Sequence, residues 1–197
     1  MTNKSLTENS HFLKNANIYL RDVCLNDVND NYCQWLNDPQ VNQFLETRFV
    51  IQSKTTIAEF VKSKIGNTNE ILLAICDKKN DLHIGNIKIG PINWYHRRAD
   101  ISLFIGNKDY WGKGIATQAI QLMSQFGFNT LNLNKLMAGA YKHNFGSIKA
   151  FQKCGYLIEG EVEDYVLVNN QGVALIQLGI TAKQFSVQSE NQNNHVD

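Results

Sequence analysis

Apolar residues recur along this chain with the strand period of two and the helical period of 3.6. NIYLRDV, at 17–23, alternates as a half-buried strand does. Asn26 then precedes DVNDNYCQWLNDP, where Val28, Tyr32, Trp35 and Leu36 share one helical face and Pro39 sets the end. Ser53 stands where it can cap a second helix, TTIAEFVKSKIG, which Gly66 closes. ILLAICDKKNDLHIGNIKIGPI predicts a hairpin turning at KKND, and ADISLFIG the next strand. From about residue 113 to 131 helical spacing returns through Ile115, Ala119, Leu122, Met123 and Phe126. KLMAGAY predicts a strand and NFGSIKAFQKCG a short helix ending at Gly155. YLIEGEVEDYVLV and VALIQLGIT predict a closing hairpin around NNQG.

Hairpins make antiparallel neighbours, and a strand–helix–strand crossover makes a parallel one. The order therefore predicts an α/β (α+β) fold with a mixed, mostly antiparallel central sheet flanked by helices. A length of 197 residues fits one domain, placed at 15–183, between polar and flexible ends at 1–14 and 184–197.

The formal net charge of +1 supplies no field for nucleic acid or an anionic membrane. No apolar run approaches the roughly 18 residues that span a bilayer, and the polar N-terminus lacks a signal-peptide core. A cytoplasmic location is the expectation. Cys24, Cys33, Cys76 and Cys154 lie far apart without metal-ligand spacing, which predicts buried, reduced thiols and no metal site.

DYWGKGIATQ brings Gly112 and Gly114 to the mouth of the long helix. A helix N-terminus carries unpaired N–H groups and the positive end of the dipole, so the amides of 112–117 can surround a phosphate. Lys113 and the Thr117 hydroxyl can add to them. A glycine turn that merely starts a helix is the alternative. A Walker loop is excluded because Ile115, and no lysine–hydroxyl pair, follows Gly114. A dinucleotide fingerprint is excluded because its third glycine and distant acid are missing.

The segment Trp111-Gly112-Lys113-Gly114-Ile115-Ala116 resembles the pyrophosphate loop Q/R-x-x-G-x-G/A of the Gcn5-related N-acetyltransferase superfamily, departing from it at Trp111. NFGSIKAFQKCGY resembles the family segment N-x-x-S/A-x-x-x-Y/F-x-K-x-G-F/Y, and the element order agrees over about residues 17–182. YLRDV, WLNDPQV and YWGKGIATQA resemble the ribosomal-protein N-terminal acetyltransferases. INWYHRRADI, FGFNTLNLNKL and EGEVEDY also resemble spermidine acetyltransferases, and amino-sugar acetyltransferases are similar as well. The resemblance implies acetyl-CoA as cofactor, held in a cleft between two splayed strands. Phe104, Ile105 and Gly106 would offer backbone to the pantetheine arm; Trp111, Gly112, Lys113, Gly114, Ile115, Ala116 and Thr117 would hold the pyrophosphate. Asn144 matches the asparagine that bonds the pantetheine, a role compatible with capping its own helix.

Acetyl transfer needs a neutral amine and a proton for the departing thiolate. Many relatives supply that proton from a tyrosine where this chain has Phe151. This admits a non-catalytic acetyl-CoA-binding module as an alternative to an enzyme. Ser147, one turn earlier on the same face, is the candidate donor or else a packing residue. Asp100, beginning the strand that passes the thioester, is a candidate base or else an exposed strand-end charge. His96 is a second candidate base, with a surface loop position as its alternative. Trp35, Trp94, Tyr95, Phe44 and Tyr165 are candidates to shape the acceptor pocket, and Glu161, Glu163 and Asp164 would favour a cation there. The acceptor expected is a small-molecule amine such as a nucleotide-linked amino sugar; a protein N-terminus or a polyamine is the alternative. The polyamine reading is set lower because spermidine-type relatives keep the tyrosine at the Phe151 position. A homodimer is also left open.

Overall fold

The computed structural model describes residues 13–193. In chain order the elements are β1 (Leu13–Lys14), β2 (Ile18–Asp22), α1 (Asp30–Asn37), α2 (Pro39–Asn42), α3 (Lys54–Lys64), β3 (Ile71–Asp77) and β4 (His83–Ile89). There follow β5 (Arg98–Ile105), α4 (Ile115–Gln125), β6 (Lys135–Tyr141), α5 (Phe145–Lys153), β7 (Leu157–Val168), β8 (Gln171–Thr181) and α6 (Ala182–Asn193). The strands form one sheet in the order β1-β2-β3-β4-β5-β6-β8-β7.

Every neighbouring pair is antiparallel except β5 and β6. That parallel pair holds through Arg98–Lys135, Ala99–Leu136 and Asp100–Met137 only, and beyond Asp100 the strands part. The mixed, mostly antiparallel sheet expected from the sequence is therefore present, with its splayed pair where the crossover through α4 puts it.

Alternation sends the side chains of β2 and β3 to two cores. Leu73, Ile75, Ile87, Ile101, Leu136 and, on β8, Leu178 pack against α4 and α5 on one face. On the other face Leu72, Ala74 and Cys76 meet Tyr32 and Leu36 of α1 with Ile57 and Val61 of α3. β3 is apolar at consecutive positions because both of its faces are covered.

Local chemistry accounts for most boundaries. Ser53 accepts from Thr56 N–H at 3.1 Å, and Gly66 follows α3 at φ +71°. Asn169 and Asn170, at φ 51° and 60°, turn the closing hairpin with the left-handed backbone that two-residue loops need. Three expectations are corrected. The first helix begins later than the segment after Asn26, because Asn29 caps α1 by accepting from Tyr32 N–H at 3.1 Å and leaves Val28 outside it. Leu13 and Lys14, expected in the flexible N-terminus, pair with β2, while residues 1–12 and 194–197 lie outside the described residues. The start of the polar tail is α6, because Thr181 and Gln184 exchange capping bonds of 2.8 and 3.3 Å and Phe185 buries against Phe128 at 5.0 Å.

Of the four cysteines, Cys76 and Cys154 are buried; burial pushes the Cys154 thiol up to about 12. Cys24 is exposed, and Cys33 is half-buried at the edge of the core beneath α1, so neither is the fully buried thiol expected. Among the described residues no helix is long and apolar enough to cross a membrane.

Candidate active site

The gap between β5 and β6 opens into a cleft of about 570 Å³. It passes through the sheet: α4 and α5 line it on one face, and Gln40, Val41, Gln43, Phe44 and Leu45 line it on the other.

At its mouth Gly112 and Gly114 have φ of 72° and 74°, a region open to glycine and strained for other residues. A Cβ at either would point into open space, so backbone conformation, not crowding, demands glycine there. The first bond of α4 runs from Gln118 N–H to Gly114 O at 3.1 Å. The N–H groups of Ile115, Ala116 and Thr117 are thus left without intrahelical acceptors, and all three residues line the cleft. Trp111, which departs from the family loop pattern, donates its indole N–H to Ile105 O at 2.8 Å. The loop is thereby fastened to the end of β5.

Main-chain direction on β5 follows from two bonds to the β4 side. Gly90 N–H donates to Asp100 O at 2.8 Å and Gly106 N–H to Ile84 O at 2.9 Å. Even-numbered residues of β5 therefore turn their main chain toward β4, and Leu103 and Ile105 turn theirs into the gap. Phe104 and Gly106 do not offer backbone there, contrary to expectation. Phe104 still lines the cleft, whereas Gly106 is covered: a Cβ on it would collide with Trp35 Cδ2.

Asn144 caps α5, its Oδ1 accepting from Ser147 N–H at 3.2 Å, and both residues line the cleft. Ser147 is half-buried. Phe151 is 1% exposed and packs edge-on to Tyr156 with ring centres 5.0 Å apart, in the core beneath the cleft. The hydroxyl of Tyr156 does not replace the missing tyrosine, because it is bonded to Ser124 Oγ at 2.8 Å inside that core.

The other expected residues lie elsewhere. Lys113 holds its ammonium 5.6 Å from the centre of the Tyr110 ring and does not line the cleft. Asp100 is the last β5 residue paired to β6; Ala99 and Ile101 face the α4 side, so its carboxyl faces the other. Burial raises its pKa, with Arg98 and Lys88 opposing that rise. It does not line the cleft. Trp35 packs in the α1 core with ring contacts to Tyr32 (6.1 Å) and His83 (5.3 Å) instead of forming a pocket wall. Trp94, bonded to Asn69, and the exposed His96 stand in the turn before β5, at the opposite end of the sheet from the glycine loop. Glu163 and Tyr165 are exposed on β7 where its pairing to β8 is interrupted between Val162 and Val166. Of the five aromatic pocket candidates, Phe44 lines the cleft.

Sequence reasoning missed Leu103, Tyr110, His143, Lys149 and Lys153 on the cleft wall. Tyr110 donates to Asp77 Oδ2 at 2.6 Å, and that bond raises its pKa. Lys149 and Lys153, four apart, share one face of α5 with Gly146 and Ala150, which also line the cleft.

Comparison with known proteins agrees with this geometry. The family model described as acetyltransferase (GNAT) domain matches residues 17–157. An uncharacterised N-acetyltransferase of Bacillus licheniformis is 28% identical over 171 residues, covering 85% of this chain and 94% of that protein. The spermidine N(1)-acetyltransferase of Escherichia coli K12 is 36% identical over 101 residues, about half of each chain (51% and 54%). The crystal structure of the Vibrio cholerae spermidine N-acetyltransferase with CoA and spermine superposes with a TM-score of 0.78 at 21% identity. It covers 87% of this chain and 99% of that one, and supports the fold. The resemblance to the ribosomal-protein branch finds no support among these relatives.

Proposed function

Since the chain belongs to the acetyltransferase (GNAT) family and is an acetyl-CoA-dependent N-acetyltransferase, we propose that its acceptor is a primary amine of a cationic polyamine. The observation that carries this reading is the 36% identity to a spermidine acetyltransferase over 101 residues. It reverses the order expected from the sequence, where the nucleotide-linked amino sugar stood first. The cleft supports the change. A sugar nucleotide brings a second pyrophosphate that needs cations. The lysines lining the cleft are both on α5, whereas the α2 wall offers Gln40, Gln43, Phe44 and Leu45.

In this reading the α4 N-terminus holds the pyrophosphate, and Lys149 and Lys153 add charge beside it. The main-chain groups of Leu103 and Ile105 take the pantetheine, with the Asn144 side-chain N–H₂ as a further donor. The acetyl end then lies near Asp100, where the strands part, and the amine arrives from the α2 side. The amine nitrogen attacks the thioester carbonyl, the carbon–sulfur bond breaks, and the thiolate takes a proton. Ser147 serves that proton. Asp100, kept above the usual carboxylate range by burial, accepts the amine proton through water.

Thiol release from acetyl-CoA, measured against spermidine, a nucleotide-linked amino sugar and a peptide N-terminus, tests this. Spermidine should exceed the others in kcat/KM by about tenfold or more, the worth of one recognised ammonium. Faster turnover of the sugar or the peptide would overturn the polyamine reading, and release with none of them would favour a binding module.

A further inference from the structure

The α2 side of the cleft is fastened across the gap by a cluster centred on Tyr141, the last residue of β6. Tyr141 is 6% exposed. Its hydroxyl donates to Glu46 Oε1 and accepts from Arg48 Nη1 at 2.7 Å. Glu46 and Arg48 belong to the 3-10 turn Glu46–Phe49, directly after the cleft-lining Phe44 and Leu45. Arg48 also donates to Leu167 O on β7 at 3.3 Å, and its guanidinium carbon lies 4.2 Å from the Phe49 ring centre and 5.1 Å from that of Tyr141. The Phe44 ring meets the Tyr141 ring edge-on at 6.0 Å and 85°.

These contacts join parts of the molecule that the backbone keeps separate. The 44–49 segment hangs from the β2–β5 half of the sheet, while Tyr141 and Leu167 belong to the β6–β8–β7 half. The two halves pair through three positions at the closed end of the cleft and part at the open end. A phenylalanine would fill the same apolar space as Tyr141. The hydroxyl adds two charge-assisted bonds to a neighbouring segment, which packing alone does not require.

We propose that Tyr141 is a positioning residue for the amine acceptor: through Glu46 and Arg48 it fixes the Phe44–Leu45 wall over the open end of the cleft. It sets how tightly the amine is held and touches none of the reacting atoms. The proposal rests on the reading that the amine enters from the α2 side.

Tyr141→Phe keeps the ring and removes the hydroxyl. Hydrogen exchange of residues 43–50 in the intact enzyme should speed up. The KM for the amine should rise about tenfold, the worth of a hydrogen bond to a charged group, while kcat and the KM for acetyl-CoA stay near wild type. Glu46→Gln keeps an oxygen for the hydroxyl, so its amine KM should stay within about threefold of wild type. The amine used is whichever the acceptor panel turns over fastest, so a different acceptor class leaves this test intact. Unchanged exchange in Tyr141→Phe would overturn the fastening itself. Faster exchange with an unchanged amine KM would overturn the α2 wall as the acceptor side. A joint rise of both KM values with a lowered Tm would reduce Tyr141 to a structural role. An equal rise in amine KM for Glu46→Gln with wild-type exchange of residues 43–50 would mean that its charge binds the amine directly, which also overturns the proposal.

Discussion

Ser147 and Phe151 stand one turn apart on α5 and end in opposite environments: the serine lines the cleft, and the phenylalanine is 1% exposed in the core. The proposed role of Ser147 as source of the thiolate's proton rests on that position. Ser147→Ala should lower kcat by about tenfold or more with little change in acetyl-CoA KM. Phe151→Tyr should bury a hydroxyl without a partner and cost about 1–3 kcal/mol, read as a lower Tm. If Phe151→Tyr raised kcat while Ser147→Ala left it unchanged, the serine would be only a packing residue. The positive φ of Gly112 and Gly114 and the Asn144 cap were legible in the sequence because turns and helix ends are local, whereas the roles given to Asn144 and Ser147 came from the family resemblance. Trp94, His96 and Glu163 were misplaced because an aromatic or charged side chain has no address until the sheet is built. Their distance from the cleft is set by strand direction, which residue type does not encode.

At the scale of elements, β5 carries the site because its main chain divides its allegiance, one set of residues bonded to β4 and the other turned into the gap. Gly106 ends that strand beneath Trp35, and the Ile105 carbonyl beside it receives the Trp111 indole. Gly106→Ala would drive a Cβ into Trp35 Cδ2, so the indole or the strand end must move. The expected cost is about 1–3 kcal/mol, with a raised KM for acetyl-CoA as the loop's anchor shifts. Unaltered Tm and KM would show that the Trp35–Gly106 contact positions nothing. The strands and helices themselves were legible because periodicity and caps agree, as at Ser53 and the Asn169–Asn170 turn. The start of α6 was not, although Thr181 and Gln184 have capping-box spacing. A low-apolar composition masked a helix whose anchor is the contact of Phe185 with Phe128.

For the molecule as a whole, the β5–β6 seam is short, and the cofactor proposed for it would touch both halves of the sheet. Binding to the folded state alone stabilises by about 2.7 kcal/mol at a hundredfold excess over Kd. Saturating coenzyme A should thus raise Tm by about 5–10 °C for a chain of this size. A Tm that ignores coenzyme A would contradict a site between the halves. The parallel pair was legible from the strand–helix–strand crossover, but its length was not. Where two strands stop pairing depends on how α4 and α5 wedge against them, a property of packing that no local pattern records. The parted strands have one more consequence. Leu103 and Ile105 present strand-edge groups to the gap, the kind of edge that on an outer strand invites a second chain to add itself. Here the α2 wall covers the gap from one face and α4 and α5 from the other, so the edge admits a slender ligand and excludes another polypeptide. The fold keeps a strand edge for recognition without exposing it to aggregation.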